Sequence, residues 1–131
     1  MSTLRLTTIS NQTGSASVPS DTVINGSAKA WVNFNGTGVV AIRAAFNVSS
    51  ITDNGTGDYT VNFSTAFVDA NYVTVGSCDR VAAAGDCFVS LYAVQASGAL
   101  VAPTTTAARV NTSRFDNSDV DVTYVCVSFF R

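Results

Sequence analysis

Residues 29–63 read Lys-Ala-Trp-Val-Asn-Phe-Asn-Gly-Thr-Gly, then Val-Val-Ala-Ile-Arg-Ala-Ala-Phe-Asn-Val-Ser-Ser-Ile-Thr-Asp-Asn-Gly-Thr-Gly, then Asp-Tyr-Thr-Val-Asn-Phe. One pattern recurs in all three pieces. Ala30, Val32 and Phe34 alternate with Trp31 and Asn33. Val40, Ile42, Ala44, Phe46 and Val48 alternate with Val39, Ala41, Arg43, Ala45 and Asn47. Tyr59, Val61 and Phe63 alternate with Asp58, Thr60 and Asn62. A period of two sends successive side chains to opposite faces of an extended chain, so the pattern predicts strands over 29–34, 39–48 and 58–63. Between them, Asn35-Gly36-Thr37-Gly38 and Asp53-Asn54-Gly55-Thr56-Gly57 supply residues that accept positive φ, and two hairpins are expected there.

Working outward, Leu4 and Leu6 alternate with Arg5 and Thr7 before a run of small polar residues from Asn11 to Ser20, which reads as a short strand or docking arm followed by a loop. Downstream, Tyr72 to Gly76 and Cys87 to Gln95 are expected to pair around a loop over 79–86, and Ala107 to Asn111 makes a modest strand. The closing segment, Val120 to Phe130, is apolar on both faces: Val122, Tyr124, Cys126 and Phe130 on one, Val125, Val127 and Phe129 on the other. That suits a central strand or a subunit contact, with Val122, Tyr124, Phe129 and Phe130 as the contact candidates. Roughly eight short strands without a helical stretch or a fixed repeat predict an all-β, antiparallel β-sandwich or jelly-roll-like single domain over 23–131, after an N-terminal arm and linker over 1–22.

The chain has 131 residues, long enough for one domain with its own core. Charged residues make up 12%, against a usual share of about a quarter, so hydroxyls and amides must solvate the surface. Nine Asp face six Arg and the single Lys29, for a net charge of −2 with no basic run, which argues against nucleic acid as a partner. No stretch approaches the ~18 apolar residues of a membrane span, and residues 1–30 lack the basic start and apolar core of a secretion signal; a soluble protein without membrane insertion is expected. Seven Asn-X-Ser/Thr sequons, beginning at Asn11, Asn25, Asn35, Asn47, Asn54, Asn62 and Asn111, read as a by-product of this composition.

Without histidine there is no Ser-His-Asp or Cys-His pair, and without Glu any acid–base work falls to Asp alone, so neither catalysis nor a cofactor is expected. Most of the Asp sit beside Gly, Asn, Ser or Ala, where a short side chain caps a turn. Asp116, Asp119 and Asp121 offer oxygens to a hard cation, but their spacing matches no calcium loop and a solvated turn is the plainer reading, so no metal is expected. Cys78 and Cys87 flank one loop; a cross-strand disulfide is open to them, with two half-buried thiols the preferred reading, and Cys126 reads as a small apolar side chain. Trp31, Tyr72 and Tyr92 are candidates for a glycan or receptor contact, because aromatic faces stack on sugar rings, while a place in the core or in a subunit contact is the plainer alternative.

The run from Ala28 through Trp31-Val32-Asn33-Phe34-Asn35-Gly36-Thr37-Gly38, with Asn47-Val48-Ser49-Ser50-Ile51-Thr52-Asp53-Asn54-Gly55-Thr56-Gly57-Asp58-Tyr59-Thr60-Val61-Asn62-Phe63, resembles a segment of tail-fibre and other virion proteins of tailed bacteriophages. The resemblance spans about Val23 to Tyr72, and the ending Val125-Cys126-Val127-Ser128-Phe129-Phe130-Arg131 is similar too; 73–115 carries none of it. Where the family often has Met-Pro after Phe63-Ser64-Thr65-Ala66, this chain has Phe67-Val68, which touches local turn geometry. The resemblance implies a structural or attachment protein of the virion, made in the bacterial cytoplasm and displayed as a tail fibre or receptor-binding tip. Its expected partners are further copies of itself, other virion proteins and a host-surface glycan or protein. A homotrimer is expected from the two apolar faces of Val120 to Phe130. One alternative is a capsid decoration protein that docks on the shell through an arm over Met1 to Ser20, and another is a carbohydrate-binding module.

Overall fold

Two four-stranded antiparallel sheets pack face to face in the computed structural model, which describes residues 3–79, 87–91 and 100–131. The elements in chain order are β1 (Thr8–Ser10), β2 (Ser17–Pro19), α1 (Ser20–Gly26), β3 (Ala28–Asn35), β4 (Ala41–Phe46), β5 (Val48–Gly55), β6 (Asp58–Phe63), β7 (Val73–Cys78), β8 (Cys87–Leu91), β9 (Ala107–Arg114) and β10 (Val125–Phe130). The first sheet runs β4-β3-β10-β7 and the second β5-β6-β9-β8. The chain is therefore an all-β antiparallel sandwich.

The core follows from the period-two pattern. Ala30, Val32 and Phe34 of β3 and Val125, Val127 and Phe129 of β10 face Tyr59, Val61 and Phe63 of β6 and Ala108 and Val110 of β9. Each fully buried Val or Phe contributes about 1.5–3 kcal/mol relative to exposure. Ring edges meet ring faces around Phe63, with Phe67, Tyr72 and Phe129 at centroid distances of 4.6, 5.8 and 5.0 Å. The reversals use glycine as expected: Gly38, Gly55 and Gly57 all have positive φ. At Gly57 a Cβ would also lie 2.5 Å from the Thr112 carbonyl oxygen, so no other residue fits.

The expected strand over 39–48 is two strands in two sheets. Asn47 takes φ 53° between β4 and β5, donates from Nδ2 to the Lys29 and Thr65 carbonyls, and accepts the Thr65 N–H at 2.8 Å. Asparagine tolerates that left-handed turn, and the chain crosses there from the first sheet to the second. Alternation continues in the sequence through the crossing and cannot signal it. As a result β4 is an exposed edge strand, and Phe46 lies outside the core.

The expected pairing of 72–76 with 87–95 is also corrected. Among the described residues β7 pairs with β10 and β8 with β9, so they lie at neighbouring edges of different sheets. They approach so closely that a Cβ on Gly76 would sit 2.8 Å from the Val89 side chain. Cys78 and Cys87 are joined there in a disulfide, Cα to Cα 6.0 Å, which ties one sheet to the other instead of the two arms of a hairpin. The closing strand begins at Val125, not Val120. Before it, Val120 and Val122 are buried in an irregular link, where the Val120 N–H donates to the Thr112 carbonyl and the Gly36 N–H to the Val122 carbonyl.

Residues 3–26 stand outside this sandwich. Among the described residues β1 and β2 pair with each other, β2 lies within the Asn11-to-Ser20 stretch expected to be a loop, and α1 follows directly and buries no residue. With no buried stripe, the helix leaves no periodic mark in the sequence.

Candidate functional site

The outward sides of the two sheets carry opposite chemistry. On the second sheet, Ser50 and Thr52 of β5, Thr60 and Asn62 of β6 and Arg109 of β9 point away from the core. Asn62 donates to Ser50 Oγ at 3.1 Å and Thr52 Oγ1 at 3.0 Å, Asn54 donates to Thr60 Oγ1 at 2.9 Å, and Arg109 Nε donates to Asp58 Oδ1 at 2.7 Å. The Arg109 guanidinium makes a second, parallel contact to the other Asp58 oxygen, a bidentate pair. This face binds its own polar groups to one another.

The first sheet presents apolar rows. Register places Phe46, Trp31, Ser128 and Val75 side by side across β4-β3-β10-β7, with Ala44, Asn33, Cys126 and Ser77 in the row above and Phe130 beside Val73 below. Phe46 is 54% exposed, Val73 64%, Val75 59% and Trp31 39%. No charged residue stands in these rows. At the upper end the Arg43 guanidinium lies 4.1 Å from the centre of the Tyr124 ring and donates to the Thr123 carbonyl at 2.6 Å, closing the patch with a cation on an aromatic. At the lower end Phe46 joins Lys29, Phe67, Val68 and Arg131 around a groove of about 400 Å³. Exposed apolar side chains clustered in this way, with Ser128, Asn33 and Ser77 among them, mark a contact site.

The sequence candidates divide between this face and the core. Trp31, Tyr124 and Phe130 lie on the apolar face. Val122 and Phe129, read as subunit contacts, are corrected to core residues, 3% and 0% exposed, because they belong to the inward side of the closing segment. Tyr72, read as a glycan contact, is likewise a core residue; its hydroxyl donates toward the Thr104 and Ala107 carbonyls, each 3.1 Å away. Tyr92 lies outside the described residues. Trp31 therefore has neither expected aromatic partner beside it among the described residues.

Phe46, Val73 and Val75 were missed. Period two alone would place Val73 and Val75 inward, but Thr74 and Gly76 take the inner positions opposite Phe129 and Val127. The available signal was Gly76 itself, since glycine within a strand marks a close approach.

The Asp side chains serve the backbone and its turns. Asp116 Oδ1 accepts the Ser118 N–H and hydroxyl, which holds its carboxyl below the usual range. Asp119 accepts from Ser113. Asp121 Oδ1 accepts the Gly57 N–H at 2.7 Å and lies 2.9 Å from the Tyr59 hydroxyl, itself 2.9 Å from the Gly36 carbonyl. Burial first, then the Asp121 contact, pushes the Tyr59 phenol far above its usual range, so it stays a neutral donor. Asp69 is drawn down to about 2 by the Arg131 guanidinium and the Asn71 N–H. No group of three or more metal-ligating side chains occurs among the described residues.

No family model, curated protein or solved structure matches this chain. The two faces are thus what the molecule itself offers for a functional reading.

Proposed function

We propose that this chain is a structural or attachment protein of a tailed-phage virion, displayed on the tail as a fibre or receptor-binding tip and assembled as a symmetric homo-oligomer, with three copies expected. The observation that carries the reading is the apolar outer face around Trp31, Phe46, Val73 and Val75. It supplies what a subunit contact requires on a domain of the composition described above, beside the sequence likeness of 23–72 to virion proteins. The hydrogen-bonded hydroxyl and amide face is the side left to water or to a host-surface partner.

Capsid decoration is the second reading, favoured by the N-terminal arm, whose Leu4, Leu6 and Ile9 are exposed. A carbohydrate-binding role finds less support, since Tyr72 of the expected aromatic set is buried. Antibody labelling of intact particles under the electron microscope tests the assignment. Labelling at the tail is the expected result, labelling confined to the head selects decoration, and unlabelled particles overturn both.

A further inference from the structure

We infer that the N-terminal arm of one copy, residues 3–26, docks on the apolar outer face of the first sheet of a second copy, so that the chain assembles head to tail. The inference deepens the self-association in the proposed function and is independent of where in a particle the protein sits.

Two surfaces need cover. The arm consists of a hairpin of three-residue strands, Thr8–Ser10 and Ser17–Pro19, followed by the seven-residue α1. Two short paired strands are marginal in water unless something packs on them. Yet Leu4, Leu6, Ile9, Val23 and Ile24 are all exposed, and all five line one groove of about 450 Å³ formed by the arm alone. The arm is tethered to its own sandwich mainly at the root, where the Lys29 ammonium donates to the Ile24 and Ser27 carbonyls. The second surface is the face around Trp31, Phe46, Val73 and Val75.

The pairing follows from charge, area and symmetry. Arg5 and Asp21 stand beside the apolar side chains of the arm groove and Lys29 and Arg131 edge the face, while the rows between carry no formal charge that a docking arm would have to desolvate. The exposed apolar side chains amount to roughly 400 Å² on the face and roughly the same on the arm, so one arm-to-face contact covers roughly 800 Å² of apolar surface counted over both partners, close to the roughly 900 Å² apolar share of a standard interface. Two different patches that meet each other make a heterologous contact, which closes into a ring or runs on as an open filament, whereas a face meeting its own twin gives only a pair. An arm-to-face contact is one heterologous arrangement from which a trimer can be built.

Light scattering and Trp31 emission on the full chain test this. Trp31 is the only tryptophan, so its emission reports the face alone. The full chain is expected to show a mass of three or more 13.6 kDa chains at micromolar concentration, with blue-shifted emission. Leu6→Asp with Ile9→Asp changes only the arm, leaves the sandwich untouched, and is expected to give single chains with red-shifted emission. Phe46→Asp with Val75→Asp changes only the face and is expected to give single chains with an unchanged β-type circular dichroism spectrum. Mixing the two variants restores one intact arm and one intact face, and two-chain complexes are expected. Single chains from the unaltered protein, an oligomer that survives the arm changes, or a mixture that stays monomeric would each overturn the inference. The particle-labelling result bears on none of these outcomes, so the two proposals fail separately.

Discussion

Asn62 on β6 and Trp31 on β3 occupy equivalent places, each on the outward side of a central strand of its sheet. Asn62 spends its amide on Ser50 and Thr52, and its neighbours Asn54, Asp58, Thr60 and Arg109 are similarly joined. Trp31 stands between Phe46 and Ser128 with part of its ring in water. Identical strand geometry thus yields one face whose polar groups are satisfied within the chain and one whose apolar groups are not. Burial of further apolar area lowers the free energy of the second face, while covering the first would displace water from groups already paired. The difference teaches which side of a thin two-layer sandwich is poised for a partner.

The largest effect expected is on the link between the layers. Cys78→Ser with Cys87→Ser opens a loop closed over a sequence separation of 9, and lost loop closure should lower stability by about 2–3 kcal/mol in urea unfolding. An unchanged midpoint would mean that packing of the shared core holds the sheets together without help from the disulfide.

Next comes the polar face. Asp58→Ala leaves the Arg109 guanidinium, only 16% exposed in its side chain, without its bidentate partner, and a loss of about 2 kcal/mol is expected by the same measurement. If stability does not move, the ladder is ordinary solvated surface and the contrast between the faces weakens.

Phe46→Ser should do the opposite of Asp58→Ala. Its side chain is more than half exposed, so the single chain should change by less than about 0.5 kcal/mol, while sedimentation shows weakened association. A large loss of monomer stability would place Phe46 in the core after all.

The smallest effect is electrostatic and belongs to neither face. The Asp69 carboxyl is held at about 2 against an ordinary 3.8, with Arg131 as the chief cause. A carboxyl depressed on folding adds stability above its unfolded value and loses it as the pH falls toward the folded value. The thermal midpoint should therefore decline slightly from pH 4 to pH 2, and Asp69→Asn should abolish that part of the decline. An identical slope in both proteins would show that Arg131 is not the partner.

Much of the sandwich was legible because β3, β6, β9 and β10 are central strands, where one side is buried and alternation of Val32, Phe34, Val61 and Val127 with polar neighbours reports it directly. The edges were not legible. Alternation carries the face of a residue but not its layer, so the crossing at Asn47 looked like one long strand, and β7 and β8 looked like partners in a hairpin. The apolar face was half legible for the same reason. Trp31, Tyr124 and Phe130 stood out by residue type, whereas Phe46 was one of an alternating apolar set over 39–48 that gave no sign that β4 is an exposed edge. The arm was legible only in part: the alternation from Leu4 to Ile9 marks a short strand that β1 overlaps, whereas β2 and the helix left no trace, since neither buries a side chain that would impose a period.

The central claim is that the apolar face is covered when copies meet. Acrylamide quenching of Trp31 fluorescence across a dilution series tests it most directly. Protection of Trp31 at micromolar chain concentration that disappears on dilution to single chains is the expected result. Quenching as strong in the concentrated protein as in the dilute, at every concentration reached, would contradict it.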